Sequence, residues 1–373
     1  MATRHVYTPI LKGKQNDLKA LARLPTDVGP MIKPLIEPPA PVKGESLDVT
    51  LDAFVEKLTK YLPSGPAFVD FYWWDDDQRT ESGRLATVVG FDALLARGLR
   101  VTPVYAVGRG ERSWFEMSRI VRQHGQGFCF RVDADQLDDA TDATIKEIEA
   151  RCAKLALKPS EVDIIIDLRD IRQADWRALR RSSGDFLAAL MPGRRYRSIA
   201  IAGSSALKEV SAAPVPVDGS LSIDRVELRL WCALLFDLDG ATTPVLSDYA
   251  VVHPDFSASG PNPNQNAKIR YTHDGVTTYH RGHGLLRPVS DFEQYRDLAT
   301  RVVRSTAYVG SDFSFGDGYL SRKASGEQGT GNPGTWVLAD INHHVTYVTR
   351  RIPRLATRVL RSASEAALET IAL

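Results

Sequence analysis

Apolar residues in this chain come in short, nearly unbroken runs: 6–11, 32–36, 67–73, 101–107, 128–132, 163–168, 198–202 and 244–252. Most are β-branched or aromatic, and they are continuous rather than alternating. Such runs suit strands covered on both faces, the pattern of a parallel sheet. Between them lie stripes at helical spacing, as in Leu51, Phe54, Val55 and Leu58, or Trp114, Met117, Ile120 and Val121, each opposite a charged face. Strand starts recur every ~26 to 46 residues, about one βα unit each. Eight units within about 255 residues predict a (β/α)8 TIM-like barrel. An open, doubly wound sheet is the alternative, because a sequence does not display closure. No glycine-rich dinucleotide turn follows any run; Gly108-Arg109-Gly110 stops short of one, which weakens the Rossmann form.

The texture changes after 254–266, a polar stretch reading PDFSASGPNPNQN that suggests a linker or long loop. Segments 267–272 and 277–281 flank His273-Asp274-Gly275 and read as a β-hairpin. Residues 291–307 read as a helix, 310–334 as a glycine-rich surface loop that could serve as a lid, and 335–339 and 345–352 as strands. The expectation is a barrel over 1–258 and a C-terminal α+β extension over 259–373 packed on it.

Composition narrows the partners. Lys+Arg 47 against Asp+Glu 46 leaves a net charge of +1, so no global field favours nucleic acid or an anionic membrane, although a local basic groove remains open. The three cysteines, Cys129, Cys152 and Cys232, lack metal or redox spacing and read as buried thiols. No apolar stretch is long enough for a signal peptide or a bilayer span, so a cytoplasmic protein is expected.

In a (β/α)8 barrel the functional face is built from the C-terminal ends of the strands. Those ends carry Lys12 and Lys14, Glu37, Asp70 with Trp73 and Trp74, Tyr105, Arg131 and Asp133, Asp167 and Arg169, Ser204-Ser205, and Asp248 with Tyr249 and His253. Charges inside apolar strands are informative because burying an unpaired charge is costly. Lys12, Glu37, Asp70, Asp167, Arg169 and Asp248 are therefore candidate catalytic residues. Glu37, Asp70 and Asp167 could hold Mg²⁺ or Mn²⁺, or run acid–base chemistry. The bland reading of the same set is a ring of mutually neutralising charges. Trp73 and Trp74 could stack a base or sugar, one of the two reading as ordinary core, and Tyr249 is a further candidate binding residue. Arg270, Tyr271 and Arg281 on the hairpin could contact phosphate or carboxylate, or simply pair on an exposed hairpin. No Walker loop, HExxH or GxSxG elbow is present, which disfavours a P-loop ATPase, a zinc peptidase and a serine hydrolase.

The segments YTPILKGK, LKALARLP, KPLIEPP, SDYAVVHP, KIRYTHDG, YHRGHG, YVGSDFSFGDGY and GTWVLADINHHVTYV occur in order along nearly the whole chain. In these the sequence resembles the bacterial and phage "beta protein" family. The resemblance implies a bacterial and phage group associated with phage–host conflict, and it carries no catalytic assignment. It adds Trp336, His343 and His344 to the candidate binding residues, since they fall inside a matching segment. On a strand the two histidines would point to opposite faces. Val337 stands where a basic residue is expected. Two functions follow as expectations. One is metal-assisted hydrolysis of a phosphate-bearing substrate, a nucleotide or nucleic acid, at the barrel mouth. The other is a catalytically silent barrel that docks a partner protein encoded nearby in a defence system.

Overall fold

The computed structural model describes residues 5–41, 44–62, 65–210, 214–255, 265–286, 290–327 and 329–362, with backbone only for 111–113. Each of the eight apolar runs carries a strand: β1 (Tyr7–Leu11), β2 (Leu35–Ile36), β3 (Ala67–Val69), β4 (Val101–Ala106), β5 (Phe128–Asp133), β6 (Val162–Asp170), β7 (Ser198–Ser204) and, after an intervening β8 (Ser220–Asp224), β9 (Val245–Asp248). The eight form a closed parallel barrel in the order β1-β2-β3-β4-β5-β6-β7-β9. Closure runs through Ala200 paired with Val245 on one side of β9 and Tyr7 paired with Leu246 on the other. Helices α1 (Gln15–Leu21), α2 (Leu47–Tyr61), α3 (Ala86–Ala96), α4 (Glu111–His124), α5 (Thr141–Leu155), α6 (Trp176–Leu190) and α7 (Val226–Asp237) alternate with the strands. No helix among the described residues is long and apolar enough to cross a membrane.

The interior is layered by the two-residue period of the strands. Ile10, Leu35, Phe68, Val104, Cys129, Ile165, Ala200 and Val245 fill the middle as an apolar plug. Two residues further along four of these strands stand Glu37, Asp70, Arg131 and Asp167, so the same parity that packs the plug lifts a charged layer above it. Two residues before Leu35 and Ile165 stand Lys33 and Asp163. They pair at 2.9 Å, and Asp163 also takes Arg197 at 2.6 Å, which closes the opposite end. The outward parity packs against the helices in one large core.

The C-terminal part corrects several expectations. The hairpin forms as expected, with β10 (Asn266–His273) and β11 (Val276–Gly284), but β8, from the segment before residue 258, adds a third antiparallel strand along β11. A helix α8 (Gln294–Val303) follows. The stretch expected as a glycine-rich surface loop contains α9 (Phe315–Ala324), capped by the Ser314 hydroxyl on the Asp317 N–H at 3.1 Å. The first of its two glycines has a packing reason. A Cβ at Gly316 would lie 2.3 Å from the Ala339 carbonyl oxygen, so the position admits close helix crossing. Most of 254–266, expected as a linker, lies outside the described residues.

The two strands expected at 335–339 and 345–352 are instead one helix, α10 (Pro333–Leu360). Asn332 caps it through the Thr335 N–H and Pro333 opens it. Its valines and threonines mimic a strand. Thr346 and Thr349 settle into the helix by donating to the carbonyls of Asn342 and Val345 at 2.8 and 2.7 Å. The middle of α10 is buried nearly all round, yet Leu338, Ile341, Val345, Val348, Ile352, Leu355 and Val359 recur along it at helical spacing. The helix packs against α1, α7 and β1, so it fills the place of the eighth barrel helix. The α+β material thus interrupts the eighth βα unit, entering after β9 and returning through α10. A chain ending at residue 258 would leave the faces of α1 and α7 open. It is expected to show no cooperative thermal transition, against a single transition for the full chain, when both are followed by circular dichroism.

Candidate functional site

The centre of the barrel mouth is Arg131, which is fully buried. Its guanidinium donates to Asp167 Oδ2 at 2.9 and 2.5 Å, to Asp70 Oδ2 at 2.7 Å, to Glu37 Oε1 at 2.8 Å and to the Tyr249 hydroxyl at 2.8 Å. Tyr249 in turn donates to Asp167 at 2.6 Å. Glu37 Oε2 accepts from Lys12 at 2.7 Å and from the Trp73 indole at 2.8 Å. Lys12 also donates to the Pro254 carbonyl and sits over the rings of Trp73 and Tyr249. Burial alone would push the Glu37 carboxyl up, but Arg131 and Lys12 hold it below the usual carboxylate range. Asp167 is likewise held down, against burial, by Arg131 and Arg169. Burial and the neighbouring Asp167 drive the Tyr249 hydroxyl well up, so it stays protonated as a donor.

Local backbone geometry delivers these groups. Arg169 lies in the left-handed region at φ 59°, beside a register break between β6 and β7. Its own N–H donates to Asp167 Oδ1 at 3.1 Å. Its guanidinium lies over Tyr72 and donates to the Tyr249 hydroxyl at 3.1 Å and to Asp255 at 2.7 Å. A non-glycine residue in this conformation is costly and persists where its surroundings fix it. Gly13, at φ 62°, turns the chain directly over the end of β2, where a Cβ would meet the Glu37 carbonyl oxygen at 2.9 Å.

Lys12, Glu37, Asp70, Asp167, Arg169, Trp73 and Tyr249 therefore come together as the sequence suggested, around an Arg131 whose hub role the sequence did not single out. Asp248 does not join them. Tyr249 faces in, so its neighbour faces out, where Asp248 meets the Tyr7 hydroxyl at 2.5 Å, Arg225 at 2.9 Å and His344 at 3.1 Å. Against burial, these partners, His344 first, hold its carboxyl down to about 2. Arg225 continues to Glu227, which accepts from Ser205. The network staples β1, β9, α7 and α10 together beneath the surface.

The histidine pair is also corrected. His343 and His344 lie on α10 and both are 1% exposed. His343 bridges Asp317 at 2.9 Å and the Thr272 carbonyl at 2.7 Å while stacking on Tyr271. His344 joins the Thr272 hydroxyl to Asp248. Tyr271 donates to Asp317 at 2.8 Å, and Trp336 stacks on Tyr295 with its indole on the Thr330 carbonyl. These four are core members without a face to a ligand. Arg281 donates to the backbone carbonyl of Val215 at 2.8 Å.

Arg270 has another place. With Lys12, Lys14, Lys208, Lys268 and His253 it lines a cleft of about 230 Å³ between the top loops of the barrel, β10 and the start of α10. The one carboxylate in the lining is Asp17, which burial pushes up to about 6. Lys208 and Lys268 were not singled out from sequence. They lie far apart in the chain from Lys12 and Lys14, and only the fold collects them. A larger cavity, about 940 Å³, opens at the opposite end of the barrel beside Arg194, Arg195 and Arg197. That is the face that in such barrels serves stability.

The carboxylates do not fit a divalent metal. All six oxygens of Glu37, Asp70 and Asp167 already accept hydrogen bonds, with Arg109 completing Asp70 at 3.3 Å. The position a cation would take is filled by the Arg131 guanidinium. Among the described residues no group of three or more His, Cys, Asp or Glu is arranged to hold a metal ion.

Fold and site define a TIM-like (β/α)8 barrel whose C-terminal face holds a saturated charged cluster and a cation-lined cleft, walled on one side by an inserted α+β segment. The chain belongs to the Beta protein family, whose model matches residues 7–350. No curated protein matches the sequence. Among solved structures it is similar to the arginine decarboxylase of Paramecium bursaria Chlorella virus, at 8% identity over 77% of this chain and 88% of that one, with a TM-score of 0.38. It is also similar to the enoyl reductase domain of MlnA from Bacillus amyloliquefaciens, at 13% identity over 97% and 84%, TM-score 0.36. A third is a xylose isomerase-like TIM barrel protein from Mycobacterium smegmatis in complex with magnesium, at 11% identity over 85% and 94%, TM-score 0.34.

Replacing Arg131 by Met leaves three buried carboxylates without their shared cation. Removal of one partner from a buried ion pair costs about 3–5 kcal/mol, and a loss of at least that size is expected in urea unfolding. The pH dependence identifies the cause. Without the guanidinium the carboxyls take protons in the folded state, so their folded pKa values rise above the unfolded ones. That contribution to stability is present at low pH and lost as pH rises. The destabilisation relative to wild type is therefore expected to be smaller at pH 5 than at pH 7.5.

Proposed function

We propose that the barrel mouth binds a small phosphate-bearing molecule, such as a nucleotide, in the cleft between the barrel's top loops and β10. The observation that carries this reading is the lining: Lys12, Lys14, Lys208, Lys268, Arg270 and His253 against a single carboxyl, Asp17, that burial shifts toward its neutral form. Lys12 is committed to Glu37 and Arg270 to Asp340 at 3.2 Å, so Lys208 and Lys268 are the lysines offered to an anion, with Lys14 adding to the positive field of the same lining. Lysines suit phosphate as mobile point charges. Trp73, half-buried, lies outside the cleft lining and is linked to it through Lys12, which sits over its ring.

Hydrolysis of the bound phosphate ester would extend this reading, without a metal at Glu37, Asp70 and Asp167, whose oxygens are already filled. A role in phage–host conflict rests on the family resemblance. A second reading, a catalytically silent barrel that docks a partner protein, is favoured by the saturation of the Arg131 cluster, which leaves its carboxylates no free oxygen for acid–base work.

The test is calorimetric titration of the full chain with inorganic phosphate and with a nucleoside diphosphate. Binding that weakens as salt is raised, and falls at least tenfold in the Lys14→Ala, Lys208→Ala double variant, is expected. An affinity unchanged in that variant, or no binding at low salt, would defeat the reading and favour partner docking.

A further inference from the structure

Lys268 stands apart from the other lysines of the mouth. It lies on β10, two residues before Arg270 and therefore on the same face of the strand. It opens into the 230 Å³ cleft, where Leu207, Val252 and Val337 supply apolar wall. Lys12 and Lys33, the buried lysines of the barrel interior, each have a carboxylate partner. Among the described residues the Lys268 ε-amino group has no hydrogen-bond or ion-pair partner. The nearby carboxylates are otherwise engaged or distant. Asp340 faces Arg270 at 3.2 Å, and Glu209, in the loop after β7, is close enough only to offset part of the field. Segment 256–264, between the barrel and β10, contains no charged residue.

We infer that Lys268 is a nucleophilic amine that forms a Schiff base with a small phosphate-bearing aldehyde or ketone held in this cleft. The inference deepens the proposed anion-binding reading and rests on it for the grip on the phosphate. Cleft, cationic neighbour and missing counter-ion combine as in lysines activated by desolvation beside a second cation. Burial, then the charge of Arg270, bring the amine down to about 7, so near neutral pH a large share carries a free lone pair. Lys14 and Lys208 are placed in the same cleft to take the phosphate.

The step balances without a co-reactant. The Nζ lone pair attacks the carbonyl carbon, a C–N bond forms and the π pair moves to oxygen, which takes one proton from the amine. The resulting carbinolamine loses its hydroxyl with the second amine proton. The C–O bond breaks, C=N forms and one water leaves.

Pyridoxal 5′-phosphate, an aldehyde carrying a phosphate, serves as the probe. The full chain is treated with less than one equivalent at several pH values, reduced with borohydride and mapped by peptide mass spectrometry. The adduct is expected chiefly on Lys268, with a rate that rises through about pH 7 and then flattens, and is expected to be lost from that peptide in Lys268→Arg, which keeps the positive charge. Adducts spread over exposed lysines such as Lys57 and Lys154, with Lys268 unmodified, would overturn the inference. Phosphate titration of the same samples separates the two claims. Phosphate binding without a Lys268 adduct removes the Schiff base alone, whereas a Lys268 adduct that excess phosphate does not suppress removes the phosphate grip.

Discussion

The burial of one guanidinium among three carboxylates organises the mouth of this barrel. Arg131 sits where the strands β2, β3, β5 and β6 end, and it ties Glu37, Asp70 and Asp167 to one point. Each of those charges would be costly alone beside an apolar plug. Together they are tolerable because each carboxylate oxygen and each nitrogen of the guanidinium finds a partner. The constraint propagates outward. Lys12 must reach Glu37, Arg169 must adopt a left-handed backbone to reach Tyr249, and Gly13 must be glycine to let the chain turn over β2.

A saturated cluster leaves little for its own carboxylates to do, and this moves attention from the barrel axis to its rim. There the inserted segment matters. It enters after β9, returns through α10, and lays Lys268 and Arg270 opposite the loops that carry Lys14 and Lys208. The buried staple of Asp248, Arg225 and His344 fixes that segment against the barrel. The cleft is therefore a property of the joined parts, and the histidines earlier open to a ligand role act by holding the walls in place.

Much of this was legible in the sequence, for physical reasons. Parallel strands covered on both faces announce themselves as unbroken apolar runs, so all eight barrel strands could be located. Charges such as Asp167 in DIIIDLRD stand out against such a background, so most of the mouth could be assembled as well. Three things were hidden. Asp248 and Tyr249 are adjacent, and a one-residue choice of parity decides which enters the barrel. Helix α10 carries apolar residues at helical spacing from Leu338 to Val359, but its Val- and Thr-rich middle also reads as strand, and there propensity outweighed the period. The cleft draws its lysines from loops and a strand that only the closed fold brings together.

The central claim is that an anion is bound at the C-terminal mouth, between barrel and insertion. Hydrogen exchange of the full chain with and without inorganic phosphate tests it most directly, because it reports where the ligand sits without presuming which side chains hold it. The account predicts added protection in the peptides covering residues 12–17, 207–210 and 265–270, with those covering 192–199 unchanged. Protection confined to 192–199 at the opposite end, or none anywhere at saturating phosphate, would contradict it.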